Sequence, residues 1–231
     1  MAYTDIDKPS DYFETKLYTG NGGTQSITGL DFQPDWLWIK ARTYAYYHYL
    51  QDSVRGADRT LFSNETSSEQ TYTAAIQSFD SNGFTTGSQA ATNYSGRTFV
   101  AWNWKAGTSF TNDASATGVG SIDSTGSVNT DAGFSIISYT GTGSTGTVAH
   151  GLGAVPKMMI IKGRSFSDAW IVYHKNIGAT KDLRLNLTNA ASTNSGPFNN
   201  TEPTSSLFTV GSGTATNNGS ATFIAYCFAE K

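Results

Sequence analysis

Cysteine is nearly missing from this sequence: Cys227 stands alone, so no disulfide can form within the chain and stability must come from packing. Charge is scarce as well, since Lys, Arg, Asp and Glu make up 14% of the 231 residues, against about 25% in an average soluble domain. The formal net charge is −3 and no dense Lys/Arg patch occurs, whereas nucleic-acid binding needs a basic stripe that releases counterions from phosphates. Nucleic acid is therefore not an expected partner. Long apolar runs are also missing. The longest, Met158 to Ile161 and Phe223 to Phe228, fall far short of the ~20 residues that span a bilayer as a helix, so no membrane insertion is expected. The first residues, MAYTDIDKPSDYF, carry neither a basic segment nor an apolar core followed by small residues, and no secretory signal is expected there.

What fills the chain instead is Gly, Ser, Thr and Asn between aromatic and β-branched runs, a composition that suits pleated strands and turns. DLRLNLTN alternates Leu183, Leu185 and Leu187 with polar residues, which predicts a strand with one buried face. Phe99 to Trp104 and Phe223 to Phe228 are apolar on both faces, as central strands are. NGG at Asn21, SNG at Ser81 and NNG at Asn217 predict turns. One helix is predicted, over SSEQTYTAAIQSF, where Ser67 and Gln70 have capping-box spacing.

The chain also repeats itself. YTGNGGTQSITGLDFQPDWLWIKAR, from Tyr18, recurs as YTGTGSTGTVAHGLGAVPKMMIIKGR, from Tyr139. Gly29, Leu30, Pro34, Ile39, Lys40 and Arg42 meet Gly151, Leu152, Pro156, Ile161, Lys162 and Arg164 at one offset (151 − 29 = 122). Phe84, Gly87, Ser88, Phe99 and Ala101 meet Phe208, Gly211, Ser212, Phe223 and Ala225 at another (208 − 84 = 124). These matches predict an all-β chain of two tandem β-sandwich-like (jelly-roll-like) domains from an internal duplication. The expected boundaries are an N-terminal arm over 1–12, a first repeat over 13–106, a Gly/Ser/Thr-rich linker over 107–132 and a second repeat over 133–231. Val119, Ile122 and Val128 interrupt the linker's polarity, so part of it is a candidate hairpin.

No catalytic motif emerges. Gly141, Gly143 and Gly146 spell G-x-G-x-x-G after FSIISY, but TVAHGLGAVP cannot open the helix that a phosphate-binding turn requires, so a hairpin loop is expected. His48, His150 and His174 are scattered, without metal-ligand spacing or a paired nucleophile. Neither a metal nor a cofactor is expected. Asp80-Ser-Asn-Gly83 reads as a turn, lacking the later acidic ligands of a calcium loop. Asp58 and Asp182 are almost the only acidic pair the two copies share, and Asp58 in GADR reads as a turn former.

Two segments are candidates for binding. Residues Arg42 to Gln51, RTYAYYHYLQ, hold tyrosines that the second copy lacks, and Tyr44, Tyr46, Tyr47 and Tyr49 form a candidate partner- or glycan-facing patch. Strand alternation would place Tyr47 and Tyr49 on one face and Tyr44, Tyr46, His48 and Leu50 on the other. The competing reading is that these rings pack the first sandwich. Tyr3, Tyr12 and Phe13 in the arm are candidate docking residues, because aromatic rings bury much area for little entropy.

The stretches DKPSDYF, ITGLDFQPDWLWIK, DSVRGA and FDSNGFTTGS in the first copy, with GFSIISYTGTGSTGTVAHGLG, DAWIVYHKNIGATK, PTSSLFTVGS and FIAYCFAE in the second, resemble the repeat domain of uncharacterised virion structural proteins of marine bacteriophages, cyanophages among them. The resemblance implies a non-enzymatic virion protein that meets other virion proteins of capsid or tail and associates with its own copies. It offers no catalytic residues to transfer. Family members often continue beyond the CFAE motif, and with no sustained heptad or collagen-like repeat in this chain, a capsid decoration or small head or tail fibre component is expected ahead of a long fibre. The alternative is a carbohydrate-binding host-recognition protein of the tail. A glycan-degrading enzyme, with two carboxylates facing across a cleft, is a third reading.

Overall fold

The computed structural model describes residues 6–231, which are 44% strand and 7% helix. They divide into two compact units, residues 6–65 with Glu69–Gly107 and Thr66–Ser68 with Thr108–Lys231.

Unit 1 contains β1 (Phe13–Thr19), β2 (Gln25–Thr28), β3 (Trp36–Ala41), β4 (Tyr49–Asp52), β5 (Gly56–Phe62), β6 (Gln70–Thr71), β7 (Ile76–Asp80), β8 (Gly83–Thr86), the one-turn helix α1 (Ala90–Asn93) and β9 (Thr98–Trp104). Its main sheet runs β1-β9-β3-β4-β5-β6 and its second sheet β2-β8-β7, antiparallel throughout. Alternation along the strands sends Tyr18, Leu37, Ile39 and Phe99 of the main sheet, and Ile27, Ile76 and Phe84 of the second, into one core. This is a sandwich-like arrangement. Strand β1 is an edge, and Glu14 and Lys16 pair at 2.7 Å on the face that also carries Tyr18. Charges turned inward at an edge discourage pairing with foreign strands.

Unit 2 contains β10 (Thr108–Asn112), the one-turn helix α2 (Ala114–Thr117), β11 (Ser124–Asn129), β12 (Phe134–Thr140), β13 (Gly146–Ala149), β14 (Pro156–Gly163), β15 (Ile171–His174), β16 (Lys181–Arg184), β17 (Ser192–Thr193), β18 (Leu207–Val210), the one-turn helix α3 (Thr214–Asn217) and β19 (Thr222–Ala229). Its main sheet runs β10-β11-β12-β19-β14-β15-β16-β17, and β13 pairs with β18. Tyr139, Val148, Met159, Ile161, Phe208 and Phe223 belong to its core. From β12 onward the main sheet has the strand order of its counterpart in unit 1, place for place, whereas the second sheet has two strands where unit 1 has three. Leu30 and Leu152 are both buried, as are Phe99 and Phe223.

The two units also share one buried device. The Tyr18 ring stacks on Phe99 (5.2 Å, 16°) and its hydroxyl donates to the Thr92 carbonyl at 2.6 Å. Tyr139 stacks on Phe223 (5.1 Å, 10°) and donates to the Thr216 carbonyl at 2.6 Å. The next residue, Asn93 or Asn217, is fully buried. Asn93 Nδ2 donates to the carbonyls of Gly87 and Gly23, and its Oδ1 accepts from Asn21 N. Asn217 Nδ2 donates to those of Gly211 and Ser144, and its Oδ1 accepts from Thr142 N. Gly20 and Gly141 complete the recurring Tyr-Thr-Gly, because a Cβ at either would collide with the carbonyl oxygen of Tyr94 or Asn218.

Several expectations need correction. The units hold nine and ten strands in sheets of unequal size, so a jelly roll, with its eight strands in two Greek keys, does not describe them. Residues 107–132 are no linker. β10 and β11 extend the main sheet of unit 2 beyond β12, and the Gly/Ser/Thr composition reflects a strand where Gly126 packs directly beneath the Ile136 carbonyl. SSEQTYTAAIQSF forms β6, a turn and the start of β7 in place of a helix; Tyr72 there packs on Tyr49 and Phe62. DLRLNLTN leaves the sheet after Arg184, with Leu185 and Leu187 exposed and Asp182 buried. The glycines after FSIISY join β12 of one sheet to β13 of the other, so they form a crossing between layers, not a hairpin.

Replacing Asn93 or Asn217 with Ala should destabilise its unit by about 2–4 kcal/mol in urea unfolding, because buried carbonyls and one N–H lose their partner together. A loss below ~1 kcal/mol would show that neither side chain pins its turn. Cys227 lies buried in β19 with its thiol pKa pushed up to about 12, chiefly by burial. It should therefore resist Ellman's reagent in the native protein and react only as urea unfolds it; stoichiometric labelling in native buffer within minutes would contradict this packing.

Candidate functional site

Outside the described residues lies Tyr3, one of the expected docking residues. The other two belong to the body of unit 1. Phe13 opens β1, 37% exposed, and its ring meets Trp104 at 4.8 Å. The carbonyl of Tyr12 accepts from Lys105 N. Just ahead of them, Pro9–Asp11 form a single 3-10 turn, and Lys8 pairs with Asp11 and Asp31 on the surface at 2.8 and 2.7 Å.

The four tyrosines of Arg42 to Gln51 divide, because the segment is irregular until β4 begins at Tyr49 and strand alternation does not apply to it. Tyr49 is core, packed edge-on to Phe62 and hydrogen bonded to Gln89 Nε2 at 2.6 Å. Burial raises its phenol pKa. Tyr46 is half-buried against the core. Tyr47 is exposed and touches Phe62. Tyr44 is exposed and meets Tyr46 at 4.6 Å with the rings tilted by 40°.

Two residues that the sequence reading overlooked complete the group. Arg97 lies with its guanidinium 5.1 Å from the Tyr44 ring centre and 5.8 Å from that of Tyr94, within cation–π range of both. Tyr46, Tyr44, Arg97 and Tyr94 thus make a row that joins the β3–β4 loop to the turn between α1 and β9. Backbone bonds hold both segments: Arg42 N to Thr98 O, Gly20 N to Arg97 O, Gly96 N to Gly20 O and Arg97 N to Tyr94 O, at 2.8 to 3.1 Å. A signal for Tyr94 and Arg97 was present. At the later of the two offsets they face Asn218 and Ala221 (221 − 97 = 124), so unit 1 carries a ring and a cation where unit 2 has neither.

The remaining polar groups serve the scaffold. Asp52 and Arg55 form a buried pair at 2.6 Å, and Glu69 meets Arg55 at 3.0 Å. Asp35 accepts from Ala106 N, Gly107 N and the Ser53 hydroxyl. Asp80 closes the turn between β7 and β8 by accepting from Ser78 and Thr85 hydroxyls. Asp58 is half-buried while Asp182 is buried, and the ladders do not equate them. Leu61 pairs with Leu50, and Leu183 pairs with Val172 (50 + 122 = 172), so Asp182 stands at the place of Thr60. A hollow of about 350 Å³ in unit 2 is lined by Asp113, Asp123, Ser138 and Thr140 among others. Both carboxylates there cap α2, Asp113 accepting from Ser115 and Ala116 N and Asp123 from Ala114 N. Among the described residues no three His, Cys, Asp or Glu side chains come together as metal ligands, and no helix is long and apolar enough to cross a membrane.

The geometry defines an all-β protein of two sandwich-like units with an aromatic and cationic row on the first. The chain belongs to the family described as "Domain of unknown function (DUF7483)", whose model matches residues 8–231 and so runs across both units. No curated protein and no solved structure matches it.

His150 is fully buried, its Nδ1 accepting from Leu152 N and its Nε2 facing the Thr204 carbonyl, and desolvation lowers its pKa below the usual 6.5. His48 shifts the same way, through desolvation and Lys40. The unfolded chain then binds more protons than the folded one below about pH 6.5, so stability should fall as pH drops from 7 towards 5.5. His150→Gln should flatten part of that decline in melting temperature, and an unchanged slope would show that His150 is not held neutral.

Proposed function

We propose that this protein is a non-enzymatic structural protein carried on the surface of a bacteriophage particle, built from one β-sandwich-like domain that was duplicated. The observation that carries this reading is the use of one scaffold twice with different surfaces. Both units keep one order of six strands in the main sheet and the Tyr–Asn device, and their buried Asp35, Asp52, Asp182 and His150 are each hydrogen bonded within that scaffold. The units differ in added or missing edge strands and in their loops, and loops are where surfaces for partners are commonly made. Residue-level resemblance to repeat domains of marine-phage virion proteins gives the reading its setting, as a capsid decoration or small head or tail fibre component meeting other virion proteins and its own copies.

The test is incorporation. An epitope-tagged chain, expressed during infection by the phage whose genome encodes it, should band with purified particles in a density gradient. Tagged protein found wholly in the soluble fraction would overturn the assignment. A chain lacking residues 1–10 should keep its melting temperature within about 3 °C, since among the described residues the deletion takes surface ion pairs and one 3-10 turn outside the sheets, yet drop out of the particles. Full incorporation of that chain would move the docking surface elsewhere.

A further inference from the structure

Arg97 is the most unusual cation of unit 1. Among the described residues its guanidinium meets the Tyr44 and Tyr94 rings and no carboxylate or carbonyl. The two rings are 50% and 48% exposed. A guanidinium carries its N–H donors in one plane, and the edge of that plane is a fork of parallel donors. That edge matches a carboxylate, which it can bind through two parallel hydrogen bonds. The half-exposed tyrosines offer apolar area with a hydroxyl at the rim, suited to the C–H groups and hydroxyls of a pyranose.

We infer that Tyr44, Arg97 and Tyr94 form a binding site for a carboxylate-bearing sugar, a hexuronic acid residue within an acidic polysaccharide. The surroundings favour one acid group on a ring over a polyacidic peptide. Two half-exposed rings lie beside the guanidinium, which suits an acid carried on a ring, and Lys40 adds no free charge because it is engaged by the carbonyls of Ala41 and Tyr44 at 3.0 and 3.5 Å. Room exists at the turn, since nothing lies within 4 Å of a Cβ placed on Gly96. The fold does not require this row. At the corresponding places unit 2 carries Phe166 (166 − 44 = 122), folded edge-on against Phe223 at 5.7 Å, together with Asn218 and Ala221. The site is independent of where the protein resides.

Titration of the full chain with an oligogalacturonate and with its methyl ester tests the site, followed by calorimetry. The acid form should bind, and masking its carboxylates should weaken binding by about tenfold or more. Arg97→Ala and Tyr94→Asn, the residues unit 2 has, should each produce a similar loss while melting stays within about 2 °C, and Arg97→Lys should retain part of the affinity. Should Arg97→Ala fold poorly, Tyr94→Asn decides. Three results overturn the proposal: no binding of galacturonate or glucuronate oligomers, equal affinity for the ester, or affinity unchanged by both substitutions. Oligoglutamate bound as tightly as the uronate would overturn the saccharide assignment.

Discussion

Each unit depends on a buried asparagine amide that ties three stretches of chain together. In unit 1, Asn93 reaches the turn after β1, the residue after β8 and its own one-turn helix; in unit 2, Asn217 does the same after β12 and β18. The loops involved are built from Gly, Ser, Thr and Asn and have little apolar surface to bury. Ordering each of their residues costs about 1–2 kcal/mol of backbone entropy. Side-chain bonds to backbone groups replace the missing hydrophobic term, and an amide, donating and accepting at once, serves three segments where a hydroxyl would serve fewer. The device also places β9 and β19, which enter the middle of their sheets last in sequence and pair on both sides.

With that anchor fixed, one backbone bond can coexist with different side chains. Ser53 N donates to the Asp35 carbonyl, and Lys175 N to that of Lys157 at the same offset (175 − 53 = 122). The Asp35 side chain then receives Ala106 and Gly107 N, ending the main sheet of unit 1. Unit 2 has lysine there and gains instead the β10–β11 pair on the opposite side, which covers the edge that β1 leaves open in unit 1. An edge can be guarded by inward charges or by added strands, and this chain uses both.

Much of this was legible from residues. The shared Tyr-Thr-Gly, Gly-Leu and Phe-x-Ala positions are the ones that touch: the tyrosine stacks on the phenylalanine, and the glycine lies under a carbonyl. Spacing at a constant offset reports such contacts because both members must be kept together. Segments whose outcome is set by tertiary competition were not legible. SSEQTYTAAIQSF has a helix-like cap, but Tyr72 gains more by packing between Tyr49 and Phe62 than one weak helical turn could return. DLRLNLTN alternates, yet the buried position went to Asp182, whose carboxylate accepts from Ser192 and Arg184. In residues 107–132 the polar composition read as a linker, with the apolar Val119, Ile122 and Val128 as the one hint of a hairpin, because strands that pair through backbone need few apolar side chains.

The candidate site shows why a patch read from one segment is incomplete. A cluster of tyrosines within ten residues suggests a surface, but the loop turns each ring differently: Tyr49 enters the core, Tyr46 leans on it, and Tyr44 and Tyr47 face outward. What converts Tyr44 from an exposed ring into part of a site comes from about fifty residues away, on a turn whose position Asn93 and Gly20 determine. Arg97 gives its N–H to Tyr94 and receives Gly20 N on its carbonyl, so its backbone is set by the same bonds that close the sandwich. A group held this way loses little further freedom on meeting a ligand, and that preorganisation is what separates a binding row from rings that merely happen to be exposed.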